Sequence, residues 1–472
     1  MTIETIGHSL DDAVRQVLQL FFDITAEFEV VSSLEQKENL YIAKAKITLG
    51  DALSEGEIEN SFINPDRRSL SDLIKKSVYF ACKKLSDMPT PWGVSTGIRP
   101  AKTARMMLDE GKEDGEILSF MQDDLFATPK KAQLSLDVAK KERKLLENRV
   151  ENGVSVYLGV PFCPTRCAYC SFISQAVAHN QKFVKPYVNA LLTEIDETAK
   201  MADDFGMKVE TIYFGGGTPT TLAPEDLDIL IKRVKERFDV TSLREFTVEA
   251  GRPDTFSDEM LSMLRENSVR RISINPQTMN QKTLDKIGRR HSVEDTIKAF
   301  EMAHKYNYFS INADVIAGLP DETPEEFAHT IREVCALSPD AVTVHTMYLK
   351  RAARLIDDFE KLRFASDMDS MVQYGYDFLT QNSYNPYYLY KQRNTLGNLE
   401  NVGFAREGHE SLYNIYIMEE IQTILALGGG ASTKMVKGDR IERVFNPKEA
   451  ADYINRIDEI IEKKRTALEF LR

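Results

Sequence analysis

The feature that most constrains the fold is a repeated alternation of short strands and helices between residues 154 and 346. Strand-like segments rich in β-branched residues occur at 154–160, 211–215, 245–250, 271–275, 311–317 and 341–346. Helical spacing of apolar residues separates them, as at 185–201 and 224–238. Strands that alternate with helices form parallel sheets with helical crossovers. The sequence therefore predicts an α/β fold with a partial (β/α)6 TIM-like barrel, whose chemistry lies at the carboxyl ends of the strands.

Longer segments flank this repeat in the chain of 472 residues. Residues 1–150 mix helical and strand-like patterns, which predicts an N-terminal α+β accessory domain. We expect residues 151–350 to form the barrel domain and residues 351–472 to form a mostly helical cap over the substrate. The helix-like segments of this cap are 367–382, 412–426 and 447–472.

Composition and charge exclude several classes of protein. Lys and Arg total 60 against 73 Asp and Glu, a formal charge of −13, which does not favour binding to nucleic acid phosphates. No apolar run reaches the ~18 residues that a membrane span needs, and the N-terminal residues lack the apolar core of a signal peptide. We therefore expect a cytoplasmic protein without nucleic acid or membrane partners.

Three of the five cysteines, Cys163, Cys167 and Cys170, follow the first predicted strand with C-x3-C-x2-C spacing. Thiolates are soft ligands that suit iron–sulfur clusters, copper(I) or zinc. Structural zinc usually takes four protein ligands, and a [4Fe–4S] cluster normally takes four cysteines. Cys82 and Cys335 are isolated in the sequence and are typical of core cysteines. Zinc and an inert core triplet remain alternatives, but the pattern favours a cluster with one iron open to another ligand.

The triplet resembles that of the radical S-adenosylmethionine enzymes. In that family S-adenosylmethionine chelates the fourth iron, and one electron cleaves it to methionine and a 5′-deoxyadenosyl radical. Further segments resemble the porphyrin-related branch, which comprises the oxygen-independent coproporphyrinogen III oxidases HemN and HemZ and the haem chaperone HemW. The resemblance is greatest to HemZ and extends over nearly the whole chain. The segments are 91–100, 271–296, 342–355, 384–404 and 425–434.

This resemblance implies a cofactor site at the strand ends, with a [4Fe–4S] cluster and one or two molecules of S-adenosylmethionine. The glycine-rich run resembles the edge that binds the cofactor's amino group, although a tight turn would also explain the glycines. Tyr157 and Glu249 are also assigned to catalysis, although a strand-end carboxylate such as Glu249 can simply cap a helix. The implied cofactor-binding residues are Tyr157, Tyr169, Gly215, Gly216, Gly217, Thr218, Glu249, Gln277, Arg289 and Asp314.

The implied reaction is oxidative decarboxylation of two propionates of coproporphyrinogen III to vinyl groups, giving protoporphyrinogen IX in haem biosynthesis. The substrate carries four carboxylates, so cations should surround it. The candidates are Lys350, Arg351, Arg354, Lys391 and Arg393, with solvated surface charge as the alternative. Tyr387, Tyr388 and Tyr390 either face the flat macrocycle or pack in the core.

Two departures keep other functions open. HemN has a fourth cysteine two residues after the triplet, where this chain has Phe172, an aromatic like that of HemW and HemZ. The HNxxYW-type segment of HemW is absent from the sequence. The alternatives are a HemW-like haem-binding trafficking protein, with His291 and His345 as the best haem ligands, and a radical enzyme for another substrate.

Reductive cleavage of the cofactor requires an electron donor. The resemblance implies a reducing partner such as flavodoxin or ferredoxin, together with the porphyrinogen substrate. We expect the protein to be a monomer.

Overall fold

The computed structural model describes residues 2–22, 27–97, 99–170, 175–348, 368–392 and 395–472. These residues form two compact units, which are described separately. The first unit contains Met1–Leu136 and Lys391–Glu400, and the second contains the rest of the described chain.

The first unit packs helices against a small sheet, as expected for an α+β fold. Its elements are β1 Thr2–Ile6, α1 Asp11–Phe21, β2 Glu29–Lys37, β3 Leu40–Leu49, β4 Ala52–Ser61, α2 Arg67–Lys83, α3 Pro100–Asp109, α4 Asp114–Ser119 and the part of α5 Pro129–Leu146 up to Leu136. Strands β1 and β2 are parallel, and β2, β3 and β4 form an antiparallel meander. Val17 of α1 and Ile74 of α2 are fully buried in the core against Ile47 of β3. Helix α2 begins where the Asp66 carboxylate accepts a hydrogen bond from the Ser69 amide at 2.8 Å.

The remaining strands of the chain include the six that the sequence predicts. They are β5 Gly153–Val160, β6 Phe162–Cys163, β7 Gln175–Ala176, β8 Lys208–Gly216, β9 Glu245–Glu249, β10 Arg271–Ser273, β11 Ser310–Ala317, β12 Ala341–Thr346, β13 Asn385–Lys391, β14 Glu400–Ala405, β15 Thr423–Gly428, β16 Ser432–Lys437 and β17 Arg440–Phe445.

Helices follow most of the parallel strands. They are α6 Val177–Asp204, α7 Pro224–Arg237, α8 Asp258–Glu266, α9 Gln281–Lys286, α10 Val293–Lys305, α11 Pro324–Ala336, α12 Met368–Gln381, α13 Leu412–Glu419, α14 Ala450–Asn455 and α15 Ile457–Leu468. None of the helices in the described part of the chain is both long and apolar enough to cross a membrane.

Six consecutive strands pair in parallel and in chain order: β5, β8, β9, β10, β11 and β12. The full sheet has the order β13-β14-β12-β11-β10-β9-β8-β5-β15-β16-β17, so among the described strands it stays open, with β13 and β17 at its edges. The predicted α/β fold with a partial barrel is confirmed. Its carboxyl strand ends all lie along one edge, which is where the sequence analysis places the chemistry.

The two faces of the parallel sheet differ in chemistry. One face carries polar side chains, and on the opposite face Val156, Ile212 and Val248 are fully buried. Cα register places Tyr157 beside Tyr213, and alternate residues of a strand share a face. The polar face consists of Tyr157, Tyr213, Thr247, Glu249, Ser273, Asn312, Asp314, Thr343 and His345. The interior of the partial barrel is therefore lined for ligand binding rather than filled with apolar side chains.

The C-terminal segment contributes strands that the sequence analysis did not predict. The helix predicted over 412–426 ends at Glu419, Glu420 takes a left-handed conformation with φ 52°, and β15 starts at Thr423. Every residue of β15 is buried, and it lies parallel to β5. The prediction was wrong for 420–426 because a short apolar run has the same pattern in a buried strand and in a buried helix.

A buried ion pair fixes this segment to the sheet. Lys464 of α15 donates to the Glu194 carboxylate of α6 at 2.8 Å, and neither side chain is exposed. Glu194 also accepts hydrogen bonds from the Tyr453 hydroxyl at 2.6 Å and from the Gly428 amide at 2.8 Å. Gly428 ends β15, so the pair anchors the strand that lies beside β5.

We predict that Lys464→Met lowers the free energy of unfolding by about 3–5 kcal/mol, because it leaves the Glu194 carboxylate buried without its counter-charge. Urea denaturation followed by circular dichroism measures the change. The matched control is Lys200→Met, which removes an exposed ion pair with Glu197 and should cost less than about 1 kcal/mol. Equal effects of the two substitutions would contradict this account.

Candidate active site

The cysteine loop leaves the carboxyl end of β5. Cys163 ends the short strand β6, and Cys167 and Cys170 follow in the loop. The Ala168 amide donates to the carbonyl of Ile287 at 2.9 Å, so the loop is held against the turn that follows α9. The three thiols therefore lie at the edge where the strands of the sheet end.

Two arginines accompany the thiols. The Arg252 guanidinium lies 3.8 Å from the Cys167 sulfur, donates to the Thr165 hydroxyl at 3.1 Å and forms two 2.9 Å bonds to Asp254. The charge of Arg289 acts on Cys167 and on Tyr169, and burial raises the pKa of the Tyr169 hydroxyl. These cations offset the negative charge that three thiolates would bring together.

The thiols act on one another electrostatically. Burial raises the pKa of Cys163 to about 11, and the charges of Cys170 and Cys167 add to the rise. Among the described residues, no three His, Cys, Asp or Glu side chains stand close enough together to bind one metal ion. The fit to an iron–sulfur cluster rests on the donor chemistry, three thiols beside two guanidinium groups.

The glycine run connects the cysteine loop to the carboxylates. A Cβ atom on Gly217 would lie 3.0 Å from the Cys163 sulfur, and one on Gly215 would lie 3.1 Å from Oε2 of Glu249. Gly216 has φ 106°, which side chains rarely tolerate. The hydroxyl of Thr218 is 3.5 Å from the Cys163 sulfur. The run is therefore the shared wall of the thiol and carboxylate groups.

Glu249 is held by a neighbouring tyrosine. The Tyr213 hydroxyl donates to Oε1 of Glu249 at 2.5 Å. The Tyr213 ring stacks on Tyr413 of α13, with centroids 4.4 Å apart, and on Tyr157, with centroids 6.1 Å apart. Burial raises the pKa of Glu249 to about 7, the Tyr213 hydrogen bond opposes that rise, and the charge of Asp314 adds to it. Near neutral pH this carboxyl group is poised between its charged and neutral forms.

Asp314 lies on the same face in a different environment. Burial favours the neutral acid, but the His345 imidazole, together with hydrogen bonds from Asn312 and Thr343, holds the pKa of Asp314 below its ordinary value. Nε2 of His345 is 3.7 Å from the carboxylate of Asp314, and its Nδ1 is 3.3 Å from the Tyr390 hydroxyl. Asp314 is therefore the permanently charged member of the two carboxylates.

Several polar atoms beside the carboxylates are buried without a hydrogen-bond partner in the described structure. They are the Ser273 hydroxyl, the Gln277 side-chain oxygen and Nε of Arg289. The Gln277 amide donates to the Asp314 carbonyl at 2.9 Å, and its φ of 67° turns the chain across the end of β11. Buried polar atoms are normally paired, so these atoms fit a bound polar ligand such as S-adenosylmethionine.

Most of the cationic residues predicted to bind the substrate are not among the described residues. Lys350, Arg351, Arg354 and Arg393 lie outside the described residues, as does Phe172. Lys391 belongs to the first unit, where its ammonium donates to the Ser95 carbonyl at 2.8 Å and lies 5.5 Å from the Trp92 ring centroid. Burial lowers the pKa of Lys391 to about 7. These contacts favour a structural role for Lys391.

The remaining aromatic and histidine candidates separate by burial. Tyr387 and Tyr388 pack in a hydrophobic cluster with Ile415, whereas Tyr390 reaches His345. His291 is 1% exposed, and burial lowers its pKa to about 4. Both ring nitrogens of His345 have protein neighbours, and His291 is shielded from solvent, so neither side chain is open to haem as it stands.

Sequence analysis missed three residues of this site. Tyr213 lies two residues before Gly215 on the same strand face, a period-two signal that could have identified it. Arg252 follows the end of β9 in EAGRPD, where polar residues at strand ends are expected to matter. Tyr413 gives no local signal, because only the fold brings α13 beside β5 and β8.

Comparisons with known proteins agree with this geometry. The sequence profile of the Radical SAM superfamily matches residues 157–334. The oxygen-independent coproporphyrinogen-III oxidase-like protein HemZ of Bacillus subtilis is 35% identical over 94% of this chain and 91% of its own length. The haem chaperone HemW of Lactococcus lactis is 30% identical over 67% of this chain and 79% of its own length.

A solved structure extends the comparison to the fold. The coproporphyrinogen III oxidase HemN of Escherichia coli, described as a radical SAM enzyme, aligns with a TM-score of 0.51 and 25% identity, covering 70% of this chain and 72% of its own. The relatedness to HemZ spans the first 150 residues and the C-terminal segment as well as the barrel. The chain therefore belongs to the radical SAM superfamily and, within it, to the family of oxygen-independent coproporphyrinogen III oxidase-like proteins that includes HemZ.

Proposed function

We propose that the protein is an oxygen-independent coproporphyrinogen III oxidase, which converts two propionate side chains of coproporphyrinogen III to vinyl groups and yields protoporphyrinogen IX. The observation that carries the proposal is that one edge of the parallel sheet holds the loop of the three cysteines, the glycine run and two unlike carboxylates. The HemZ relative covers 94% of the chain, which supports the oxidase over functions that need only the barrel.

Membership of the superfamily implies a [4Fe–4S] cluster and S-adenosylmethionine. In the proposed site Cys163, Cys167 and Cys170 hold the cluster, and the glycine run with Glu249 takes the amino group of S-adenosylmethionine. Gln277 and Asp314 accept hydrogen bonds from its hydroxyl groups. When bound, the two cofactors together supply a radical that removes a hydrogen atom from the substrate. The proposal includes one or two molecules of S-adenosylmethionine.

The chain's own residues position and shield the reacting groups. A strongly reactive radical must be held close to one hydrogen atom and away from water. The stacked rings of Tyr157, Tyr213 and Tyr413 form an apolar wall beside Glu249, and this wall excludes water from one side of the polar face. His345 and Tyr390 line the far end of that face, beside the last parallel strand.

Each propionate becomes a vinyl group by losing a hydrogen atom to the radical, carbon dioxide, and one electron to an external one-electron acceptor. The proposed cations Lys350, Arg351, Arg354, Lys391 and Arg393 would bind the substrate carboxylates, and the contacts of Lys391 make it the weakest of these candidates. A flavodoxin or ferredoxin as reducing partner, a monomeric state and a cytoplasmic location belong to the same proposal.

A HemW-like haem-binding function is the second candidate, because a HemW protein is 30% identical over 67% of the chain. The environment of His345 argues against haem binding, since Nδ1 faces the Tyr390 hydroxyl and Nε2 faces the Asp314 carboxylate. Haem titration separates the two functions: a trafficking protein takes up haem stoichiometrically, and an enzyme need not.

The deciding experiment is an anaerobic assay with the reconstituted cluster, dithionite, S-adenosylmethionine and coproporphyrinogen III. Liquid chromatography with mass spectrometry follows 5′-deoxyadenosine and the porphyrin products. The proposal expects substrate-dependent 5′-deoxyadenosine together with protoporphyrinogen IX. Cofactor cleavage without a porphyrin product would retain the radical chemistry and exclude this substrate.

We predict that Cys163→Ser abolishes both iron binding and formation of 5′-deoxyadenosine, because a hydroxyl is a poor ligand for a cluster that needs thiolates. Iron analysis of the reconstituted protein should fall from about four atoms per chain to a small fraction of that value. Cys335→Ser, on α11 and away from the triplet in sequence, is the matched control and should keep its iron. A Cys163→Ser protein with full iron content and activity would exclude the proposed site.

We also predict that Glu249→Ala weakens S-adenosylmethionine binding by at least about tenfold, because it removes the anionic partner of the amino group. Equilibrium titration of the reconstituted, oxidised protein measures the affinity without turnover. Glu197→Ala, which removes a partly exposed carboxylate on α6, serves as the control. Unchanged affinity in the Glu249→Ala protein would remove this residue from the cofactor site.

A further inference from the structure

The Tyr213 side chain donates a hydrogen bond to Glu249. The phenol and Oε1 of Glu249 are 2.5 Å apart, a distance typical of a hydrogen bond to a charged acceptor. The two residues lie on neighbouring strands, β8 and β9, and on the same face of the sheet. A hydroxyl on this strand is therefore aimed along the sheet at the carboxylate.

The ring of Tyr213 is fixed in place. Tyr413 stacks on it with an interplanar angle of 22°, and Tyr157 stacks on it with an angle of 19°. The three rings contact one another pairwise, and a ring held by two aromatic neighbours cannot easily turn its hydroxyl away. The geometry of the hydrogen bond is thus set by stacking as well as by the bond itself.

The second oxygen of Glu249 faces the glycine run. Its Oε2 lies 3.1 Å from the position of a Cβ on Gly215, and the Gly216 backbone also hydrogen-bonds the carboxylate. With one oxygen on Tyr213 and the carboxylate bonded to the backbone of the run, Glu249 has a single orientation. In this orientation the carboxylate lies along the glycine run, where the proposed function places the amino group of S-adenosylmethionine.

The surroundings of Glu249 otherwise oppose its negative charge. Burial and the charge of Asp314 both raise its pKa, while the Tyr213 hydrogen bond is the largest influence that lowers it. His345 also favours the charged form. The titratable groups that face Glu249 are Tyr213 of β8, Asp314 of β11, His345 of β12, Tyr157 of β5 and Tyr413 of α13. Without the Tyr213 hydroxyl, the carboxyl would be neutral over more of the physiological pH range.

We propose that Tyr213 is a positioning residue, whose hydroxyl keeps Glu249 oriented and negatively charged so that it can accept a hydrogen bond from an amino group. The inference rests on the proposed function, in which that group is the amino group of S-adenosylmethionine. Tyr213 touches no reacting atom and acts only through Glu249. Tyr413 contributes by holding the ring, which gives the C-terminal segment a part in cofactor binding.

The test compares Tyr213→Phe with the wild type in equilibrium titrations of the reconstituted, oxidised protein. The substitution keeps the stacked ring and removes only the hydroxyl. Tyr416→Phe is the matched control, because the Tyr416 hydroxyl donates to Glu210, also on β8, at 3.1 Å and at the opposite end of the strand. The two probes are S-adenosylmethionine and 5′-methylthioadenosine, which keeps the adenosine part and lacks the amino group. Iron content and thermal melting confirm that each variant is folded.

The proposal expects Tyr213→Phe to weaken S-adenosylmethionine binding by about tenfold at pH 7 and to leave 5′-methylthioadenosine unaffected. Binding requires the ionised carboxylate, so affinity rises with pH as Glu249 deprotonates. Loss of the hydroxyl should move this rising limb to higher pH, and the defect should shrink toward about pH 8.5. Tyr416→Phe should match the wild type for both probes.

Four other outcomes would overturn the proposal. Equal losses for both probes, or a loss independent of pH, would assign Tyr213 a general structural role. Unchanged binding by Tyr213→Phe alongside weak binding by Glu249→Ala would overturn the role of Tyr213 and leave the proposed function intact. Unchanged binding by both variants would remove Glu249 from the site as well.

Discussion

The parallel pairing of six consecutive strands is the constraint on which the rest of the structure depends. Parallel pairing brings every carboxyl strand end to one edge, and side-chain alternation places every second residue on one face. Residues as far apart in sequence as Tyr157 and His345, which are 188 positions apart, thereby come to line one surface. The polar residues of that face are compatible with an apolar core because the opposite face carries fully buried apolar side chains such as Val156, Ile212 and Val248.

The polar face separates two carboxylates by their environment. Asp314 has an imidazole and an amide as neighbours, which stabilise its charge, whereas burial outweighs the Tyr213 hydrogen bond that favours the charged form of Glu249. Groups of the same chemical type thus have different protonation behaviour within one site, a common means of assigning different roles. In the proposed enzyme the charged Asp314 suits hydroxyl groups, and Glu249, whose pKa is raised to about 7, suits an amino group.

The C-terminal segment supports this surface from outside the parallel strands. The Glu194–Lys464 pair fixes the end of β15 beside β5, the strand that leads to the cysteines. Helix α13 supplies Tyr413 to the ring stack. The similarity to HemZ over 94% of the chain is consistent with a C-terminal segment that contributes to the function of the barrel domain.

The sequence was sufficient to predict the strands and the cysteine site, since β-branched runs and thiol spacing are local signals. The sequence was insufficient where contacts between residues distant in sequence determine the structure or the role of a residue. Residues 420–426 became a strand because β5 offers an unpaired edge, which no local pattern reveals. Tyr213 and Tyr413 gain their roles only when β8 and α13 meet. The assignment of Lys391 to substrate did not anticipate its contacts with Ser95 and Trp92.

The most direct test of the account is an anaerobic crystal structure of the reconstituted protein with S-adenosylmethionine. The account predicts a cluster on Cys163, Cys167 and Cys170, with the amino group of the cofactor within hydrogen-bonding distance of a Glu249 carboxylate still bonded to Tyr213. A cofactor bound elsewhere, or a Glu249 that points away from its amino group, would contradict it.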